Sequence, residues 1–271
     1  MKIKNWLEAR SGQGASRNEL EMILSKISGL SRTELILRED EDLISDEELK
    51  ELDALVKKIA SGAPMAYVMG YREFYGRDFL VDKRVLIPRP ETETIIDAAK
   101  EIVEKGYSKR PVKILDVGTG SGCIAITLKL ELPEAKVLAV DNSVGALVVA
   151  RKNAERMKAD VDFLKSSLLE QVDENQDIIV ANLPYVDAKW EWVNREELAQ
   201  EPESALYAGD GGLALIFELI DQVVKRAKLG TYLILESDPS QQERLAEYAM
   251  NAGLKIIRQD GYISIFRYLG A

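Results

Sequence analysis

Ile114-Leu115-Asp116-Val117-Gly118-Thr119-Gly120-Ser121-Gly122 decides the fold of this 271-residue chain. An apolar strand runs into three alternating glycines, and the apolar pattern of a helix follows from Cys123 to Leu132. Glycine opens backbone dihedrals closed to other residues and lets a ligand approach the main chain. The next strand, Lys136-Val137-Leu138-Ala139-Val140, ends on Asp141, where a carboxylate can accept two ribose hydroxyls. The spacing separates ligand classes. A dinucleotide loop asks for glycine where Cys123 stands, and a Walker-type phosphate loop asks for Gly-Lys-Ser/Thr, which the chain lacks. A loop that merely makes a tight turn would not need the acid at the following strand end.

A glycine loop spaced G-x-G-x-G behind an aspartate is the pattern of an S-adenosylmethionine site. Outward from it, strands alternate with helices, the signature of βαβ units. The strands are expected near 112–117, 136–140, 161–164, 177–181, 231–235, 255–258 and 262–267. Only Gln259-Asp260-Gly261 separates the last two, too little for a parallel crossover, so they form a hairpin and the final strand is antiparallel. Six parallel strands and one reversed strand make the seven-stranded α/β sheet of the Rossmann-like class I S-adenosylmethionine-dependent methyltransferases.

The strand Asp177-Ile178-Ile179-Val180-Ala181 delivers Asn182-Leu183-Pro184-Tyr185. Pro184 has no N–H and holds Leu183 extended. What remains is a pair of acceptors, the Asn182 side-chain oxygen and the Leu183 carbonyl, with the Tyr185 ring beside them. Two acceptors suit a planar substrate bearing an NH2 group, because they can take both hydrogens and aim the nitrogen lone pair elsewhere. A strand-to-loop turn with no further role is the plainer alternative. The connection from Tyr185 to Gly212, with Trp190, Trp192 and Glu201-Pro202, is long enough to suggest function.

Composition narrows the classes. A hydrophobic content of 46% with 30% charged residues describes a soluble globular chain. A net charge of −10 argues against binding nucleic acid by phosphate neutralisation. There is no histidine, hence no imidazole base and no histidine-held metal, and no metal is expected. The single cysteine, Cys123, permits no intrachain disulfide and is expected to be a small buried apolar residue. No run is long and apolar enough for a membrane span, and the start lacks a signal peptide's apolar core, so the cytoplasm is the expected location.

The first part of the chain reads as helices over Arg17–Ser28, Arg32–Leu37 and Asp46–Ala60, with Ser45 and Glu48 spaced as a capping box. Arg72-Glu73-Phe74-Tyr75 and Asp78-Phe79-Leu80-Val81 flank Gly76-Arg77 as a β-hairpin would. Leu86-Ile87-Pro88-Arg89-Pro90 holds an extended segment before a helix running to about Lys105. An arginine between prolines is more than a linker needs and suggests a segment lying over the cofactor or active site. The expected division is a small N-terminal helical domain, 1–63, a β-hairpin linker, 64–90, and a methyltransferase domain, 91–271.

Pro64-Met65-Ala66-Tyr67, Gly70, Arg72-Glu73-Phe74, Leu86-Ile87-Pro88-Arg89-Pro90-Glu91-Thr92-Glu93, the glycine loop, Asn182-Leu183-Pro184-Tyr185 and Glu201-Pro202 with Ala205-Leu206 together resemble the HemK/PrmC family, over nearly the whole chain. These are protein-(glutamine-N5) methyltransferases that modify the Gly-Gly-Gln glutamine of class I peptide chain release factors. The resemblance implies S-adenosylmethionine as cofactor, the glutamine amide held at Asn182 to Tyr185, and N-terminal helices that grip the release factor. Residues expected at the cofactor are Asp116, Gly118, Thr119, Gly120, Ser121, Gly122, Asp141 and Asn182. Asn182, Leu183, Pro184 and Tyr185 form the expected catalytic group. Leu183 stands where the family usually has proline, Ser167 where it often has an acid, and Glu236-Ser237-Asp238 where it usually has Glu-His-Gly. A monomer without direct nucleic-acid contact is expected. The alternatives are an N6-adenine methyltransferase, whose substrate also presents an exocyclic NH2, and a translation-factor binding protein with a vestigial cofactor site.

Overall fold

The computed structural model describes residues 1–107, 110–172, 175–191 and 198–270; Trp192 lies outside the described residues. The chain divides into two units, 1–71 with 194–200, and 72–193 with 201–271.

The smaller unit is helical: α1 (Ile3–Arg10), α2 (Arg17–Ser28), α3 (Arg32–Leu37), α4 (Asp46–Ala60) and α5 (Met65–Met69). Ser16 with Glu19, Ser31 with Glu34 and Ser45 with Glu48 each close a full capping box. Each such cap contributes about 1 kcal/mol by satisfying amides the helix leaves open. Trp6, Leu20, Ile23, Leu52 and Val56 are buried together, and Val68 and Met69 join them. Lys26 Nζ donates to the carbonyls of Val68 and Met69 at 3.1 and 2.9 Å. That packing places the segment from Pro64 to Tyr71 with the helices, where the sequence suggested a linker beginning at residue 64.

The larger unit starts in the expected hairpin, β1 (Tyr71–Phe74) and β2 (Arg77–Leu80). Tyr75 and Gly76 both take positive φ, 51° and 70°, as a two-residue turn of the primed type requires. Phe74 and Phe79 meet edge to face and are buried in the core under the main sheet, so the hairpin is part of this unit's core.

A short 3-10 turn (Pro90–Thr92) and α6 (Glu93–Gly106) lead into the sheet. Its elements are β3 (Lys113–Val117), α7 (Cys123–Glu131), β4 (Lys136–Asp141), α8 (Val144–Met157), β5 (Asp162–Lys165), β6 (Ile178–Ala181), α9 (Ala214–Arg226), β7 (Tyr232–Glu236), α10 (Gln242–Asn251), β8 (Leu254–Asp260) and β9 (Ile263–Tyr268). The strand order is β5-β4-β3-β6-β7-β9-β8, with β9 antiparallel to both neighbours and the other strands parallel. Side chains alternate across β3. Ile114 enters a core with α6 and α7, while Leu115 and Val117 enter the opposite core with α9 and α10.

The order fixes where a ligand can bind. From β3 the chain winds outward through β4 to β5, then crosses back to β6 on the other side of β3. Such a reversal opens a crevice at the carboxyl ends of the strands. Val117 pairs with both Val140 and Ala181, so Gly118, Asp141 and Asn182 leave the sheet at one level.

Candidate active site

The crevice is an open cleft with about 1040 Å³ of empty space, solvent at its mouth included. Gly118 to Ser121 form its floor, Asp141 to Ser143 and Ser166 to Leu168 one side, and Asn182 to Pro184 the other. Arg84 to Leu86 and Pro88-Arg89 also line it, as does Pro202. The proline-flanked arginine lies at the wall of this cleft, held by an ion pair. Arg89 Nη2 donates to Glu201 Oε1 at 2.5 Å, and Glu201 Oε2 accepts the Ile87 amide at 2.9 Å. One buried carboxylate thus ties this segment to the long connection after Tyr185. That connection is stapled again by Gln241 Nε2, which donates to the carbonyls of Tyr185 and Gly211, both at 2.7 Å.

The three loop glycines have different reasons to be glycine. All take positive φ, which disfavours a side chain. A Cβ on Gly120 would meet nothing closer than the Gly118 carbonyl at 4.0 Å, so this residue faces open space at the cleft. A Cβ on Gly122 would lie 2.8 Å from Ile126 Cδ1 and 3.1 Å from Ala150 Cβ, and Gly122 does not border the cleft. Gly122 lets α7 and α8 pack closely. A Cβ on Gly118 would press on Leu183 Cδ2 at 2.9 Å. Asn153, fully buried on α8, accepts the Leu80 amide and donates to the carbonyls of Leu80 and Ser121, tying the hairpin to the loop.

Asp116 lies beneath the loop and away from the cleft. Its Oδ2 accepts from Thr119 Oγ1 at 2.6 Å and from the Ala125 amide at 3.2 Å, while Oδ1 is buried without a partner among the described residues. Burial pushes its carboxyl up to about 7. It shapes the loop from below, through Thr119. Asp141 borders the cleft. Its Oδ2 accepts the Gly120 amide and its Oδ1 the Ser143 amide, at 2.9 and 2.8 Å, so each oxygen keeps a lone pair to offer. Cys123 is buried at the cleft wall, and burial pushes its thiol up to about 12, too high for a nucleophile.

Asn182 Nδ2 donates to Thr92 Oγ1 at 2.9 Å. Among the described residues no group donates to Asn182 Oδ1 or to the Leu183 carbonyl. Tyr185 takes a different place from the one its ring was expected to fill: it does not line the cleft, and its hydroxyl donates to Glu236 Oε1 at 3.1 Å. Glu236, at the end of β7, is 1% exposed, and burial raises its carboxyl to about 7 against the pull of the Thr92, Tyr185 and Asn182 polar groups. Sequence reading gave Thr92 and Glu236 no role. They stand 90 and 54 positions from Asn182, and only the fold brings them to it.

The cleft suits S-adenosylmethionine. Gly120 leaves room against the main chain, Asp141 offers acceptors for a ribose diol, and Val117, Ile124 and Leu168 supply apolar wall. Sheet order and crevice together define a Rossmann-like S-adenosylmethionine-dependent methyltransferase. A methyltransferase from Pyrococcus furiosus has the same fold, with a TM-score of 0.54 at 17% identity over 79% of this chain and 97% of that one. The methyltransferase small domain family matches residues 92–219, and the PrmC N-terminal domain family matches residues 5–70. The release factor glutamine methyltransferase of Koribacter versatilis is 40% identical over 81% of this chain and 78% of its own length. That of Escherichia coli is 34% identical over 93% of this chain and 92% of its own. The chain belongs to the release factor glutamine methyltransferase family. Among the described residues no group of histidine, cysteine and carboxylate side chains could hold a metal, and no helix is long and apolar enough to cross a membrane.

Proposed function

We propose that this protein methylates the side-chain amide nitrogen of the glutamine in the Gly-Gly-Gln loop of class I peptide chain release factors. The observation that carries the reading is the pair of unengaged acceptors, Asn182 Oδ1 and the Leu183 carbonyl, at the cleft edge beside the glycine loop. Bound S-adenosylmethionine supplies an electrophilic methyl group. A primary amide nitrogen is a poor nucleophile, because its lone pair is delocalised into the carbonyl. Asn182 and Leu183 accept its two hydrogens, favour a pyramidal nitrogen and hold the lone pair towards the cofactor side of the cleft. Asp141 and the Gly118–Ser121 floor hold the cofactor, with Asp116 and Gly122 supporting that floor. No strong base is required, since an amide nitrogen that has gained a methyl group sheds its proton readily. The absence of histidine fits that chemistry.

The helical unit is proposed to dock the release factor. Its most exposed large apolar side chains among the described residues are Ile36 and Leu37 on α3. The protein is further proposed to act as a cytoplasmic monomer that does not bind nucleic acid. The test is incubation with labelled cofactor and either a release factor or nucleic acid. Label on the factor is expected; label on nucleic acid alone would overturn the reading in favour of adenine methylation. Deleting the first 63 residues, or Leu37→Asp, should raise KM for intact factor far more than for a Gly-Gly-Gln peptide, and equal effects would remove the docking role.

A further inference from the structure

Asn182 can take substrate hydrogens only if its side-chain amide presents oxygen, not NH2, to the cleft. The two ends of an amide have nearly the same size and opposite hydrogen-bonding sense, so shape alone cannot choose between them. The choice must come from the group on the other side. In this fold that group is Thr92 Oγ1, 2.9 Å from Asn182 Nδ2 and 2% exposed. A hydroxyl does not choose by itself, because it can accept from Nδ2 or donate to Oδ1. Its sense is set by what it faces next: Thr92 faces Glu236, and so does the Asn182 amide itself.

We propose that Glu236, together with Thr92, is the positioning residue that turns the Asn182 side-chain oxygen into the cleft: both draw the Asn182 NH2 end away from it. An ionised carboxylate only accepts. The Tyr185 hydroxyl already donates to its Oε1, and Oε2 is buried with no hydrogen-bond partner of good geometry among the described residues. The Thr92 hydrogen is drawn towards that carboxylate, which leaves the Thr92 oxygen to accept from Asn182 Nδ2. Every donor in the chain then points from the cleft to Glu236, and the one acceptor left at the cleft end is Asn182 Oδ1. The same chain explains why a costly feature is kept at the end of β7: a buried, half-satisfied carboxylate is unfavourable unless it does something a neutral side chain cannot.

This inference rests on the proposed role of Asn182 as acceptor, and the experiment separates the two. Single-turnover methylation of a release factor at saturating cofactor is measured for Asn182→Ala, Glu236→Gln, Thr92→Val and Thr92→Ser, with cofactor Kd and urea unfolding for each. Glu236→Gln keeps the size of the side chain but can donate as well as accept, so the chain loses its direction. It should lose about tenfold or more in single-turnover rate, the size of one charge-assisted hydrogen bond, with cofactor Kd within about threefold. It should be no less stable than the parent, because a buried charge has been removed. Thr92→Val should lose a similar factor, and Thr92→Ser, which keeps the hydroxyl, should recover most of it. The Thr92→Val, Glu236→Gln double variant should be little worse than Glu236→Gln alone, since Thr92 owes its direction to that carboxylate. An impaired Asn182→Ala enzyme beside a near-normal Glu236→Gln enzyme would overturn this inference alone. Should Glu236→Gln fail to fold, equal rates for Thr92→Val and Thr92→Ser would overturn it instead. A near-normal Asn182→Ala enzyme would overturn the acceptor role and this inference with it.

Discussion

Replacing Gly120 and Gly122 by alanine, one at a time, separates two tasks that share five residues of sequence. Both residues take positive φ, 56° and 82°, so alanine at either costs about 1–2 kcal/mol in backbone strain. At Gly122 the new Cβ would also stand 2.8 Å from Ile126 Cδ1, 3.1 Å from Ala150 Cβ and 3.3 Å from Ala150 Cα. The last two are close to backbone and cannot swing away, so α7 and α8 must separate. Overpacking of that kind costs a further 1–3 kcal/mol or so. Gly122→Ala should therefore lose about 2–5 kcal/mol, a large part of the roughly 5–15 kcal/mol by which a domain is stable. Gly120→Ala should lose only the strain, because its Cβ enters open space. That open space is the cleft floor, so Gly120→Ala should weaken S-adenosylmethionine binding by about tenfold or more, or roughly 1.4 kcal/mol. Urea unfolding gives the first quantity and calorimetric titration the second. Equal stability losses for the two variants, or undiminished cofactor affinity in Gly120→Ala, would refute the division of labour.

Asp141→Ala should weaken cofactor binding at least tenfold, judged from about 1.5–3 kcal/mol per charge-assisted hydrogen bond; unchanged affinity in calorimetry would move the ribose contact elsewhere. Asp116 gives a pH signature. Burial raises its carboxyl from 3.8 to about 7, so the folded chain holds that proton more tightly than the unfolded chain. Its contribution is fully present below about pH 4 and is lost as pH rises towards 7, by at most about 4 kcal/mol. Asp116→Asn should flatten the fall in urea midpoint across that window, and an unaltered slope would place the buried charge elsewhere. Leu183→Pro, the residue usual in the family, should retain most of the turnover because the acceptor at 183 is a backbone carbonyl. It should cost roughly 1–2 kcal/mol in urea unfolding through lost apolar contact, since Leu183 is buried over Gly118. A collapse in single-turnover rate would mean that the Leu183 side chain positions the substrate.

What could be read from the sequence was whatever is local. The β3–α7 glycine loop and the alternation of strands with helices are patterns within a dozen residues, and the strand ends were placed to within a residue or two. The hairpin of β8 and β9 followed from the length of its turn. By contrast α1 was passed over, because Ile3, Trp6 and Leu7 are too few to show a helical period. The boundary between the units was drawn too early, since Val68 and Met69 reveal their partners only when α2 and α4 are in place. Within the loop, spacing could not separate a glycine that clears a cleft from one that clears a neighbouring helix. Nor could it show that Tyr185 turns to Glu236, because a ring beside a proline turn can point either way.

The position of β9 between β7 and β8 governs how the sheet is completed. Among the described residues strand β8 pairs with β9 alone, although it comes earlier in the chain, so it cannot add to the sheet by itself. The pair can zip locally about Gly261, whose φ of +55° suits the tight turn, and dock onto β7 as one ribbon. Until it does, Ile234 and Leu235 sit on an open edge that offers its amides and carbonyls to any extended chain. Slowing that ribbon, for example by a bulky residue at Gly261, would show less as lost catalysis than as a longer-lived, self-associating folding intermediate.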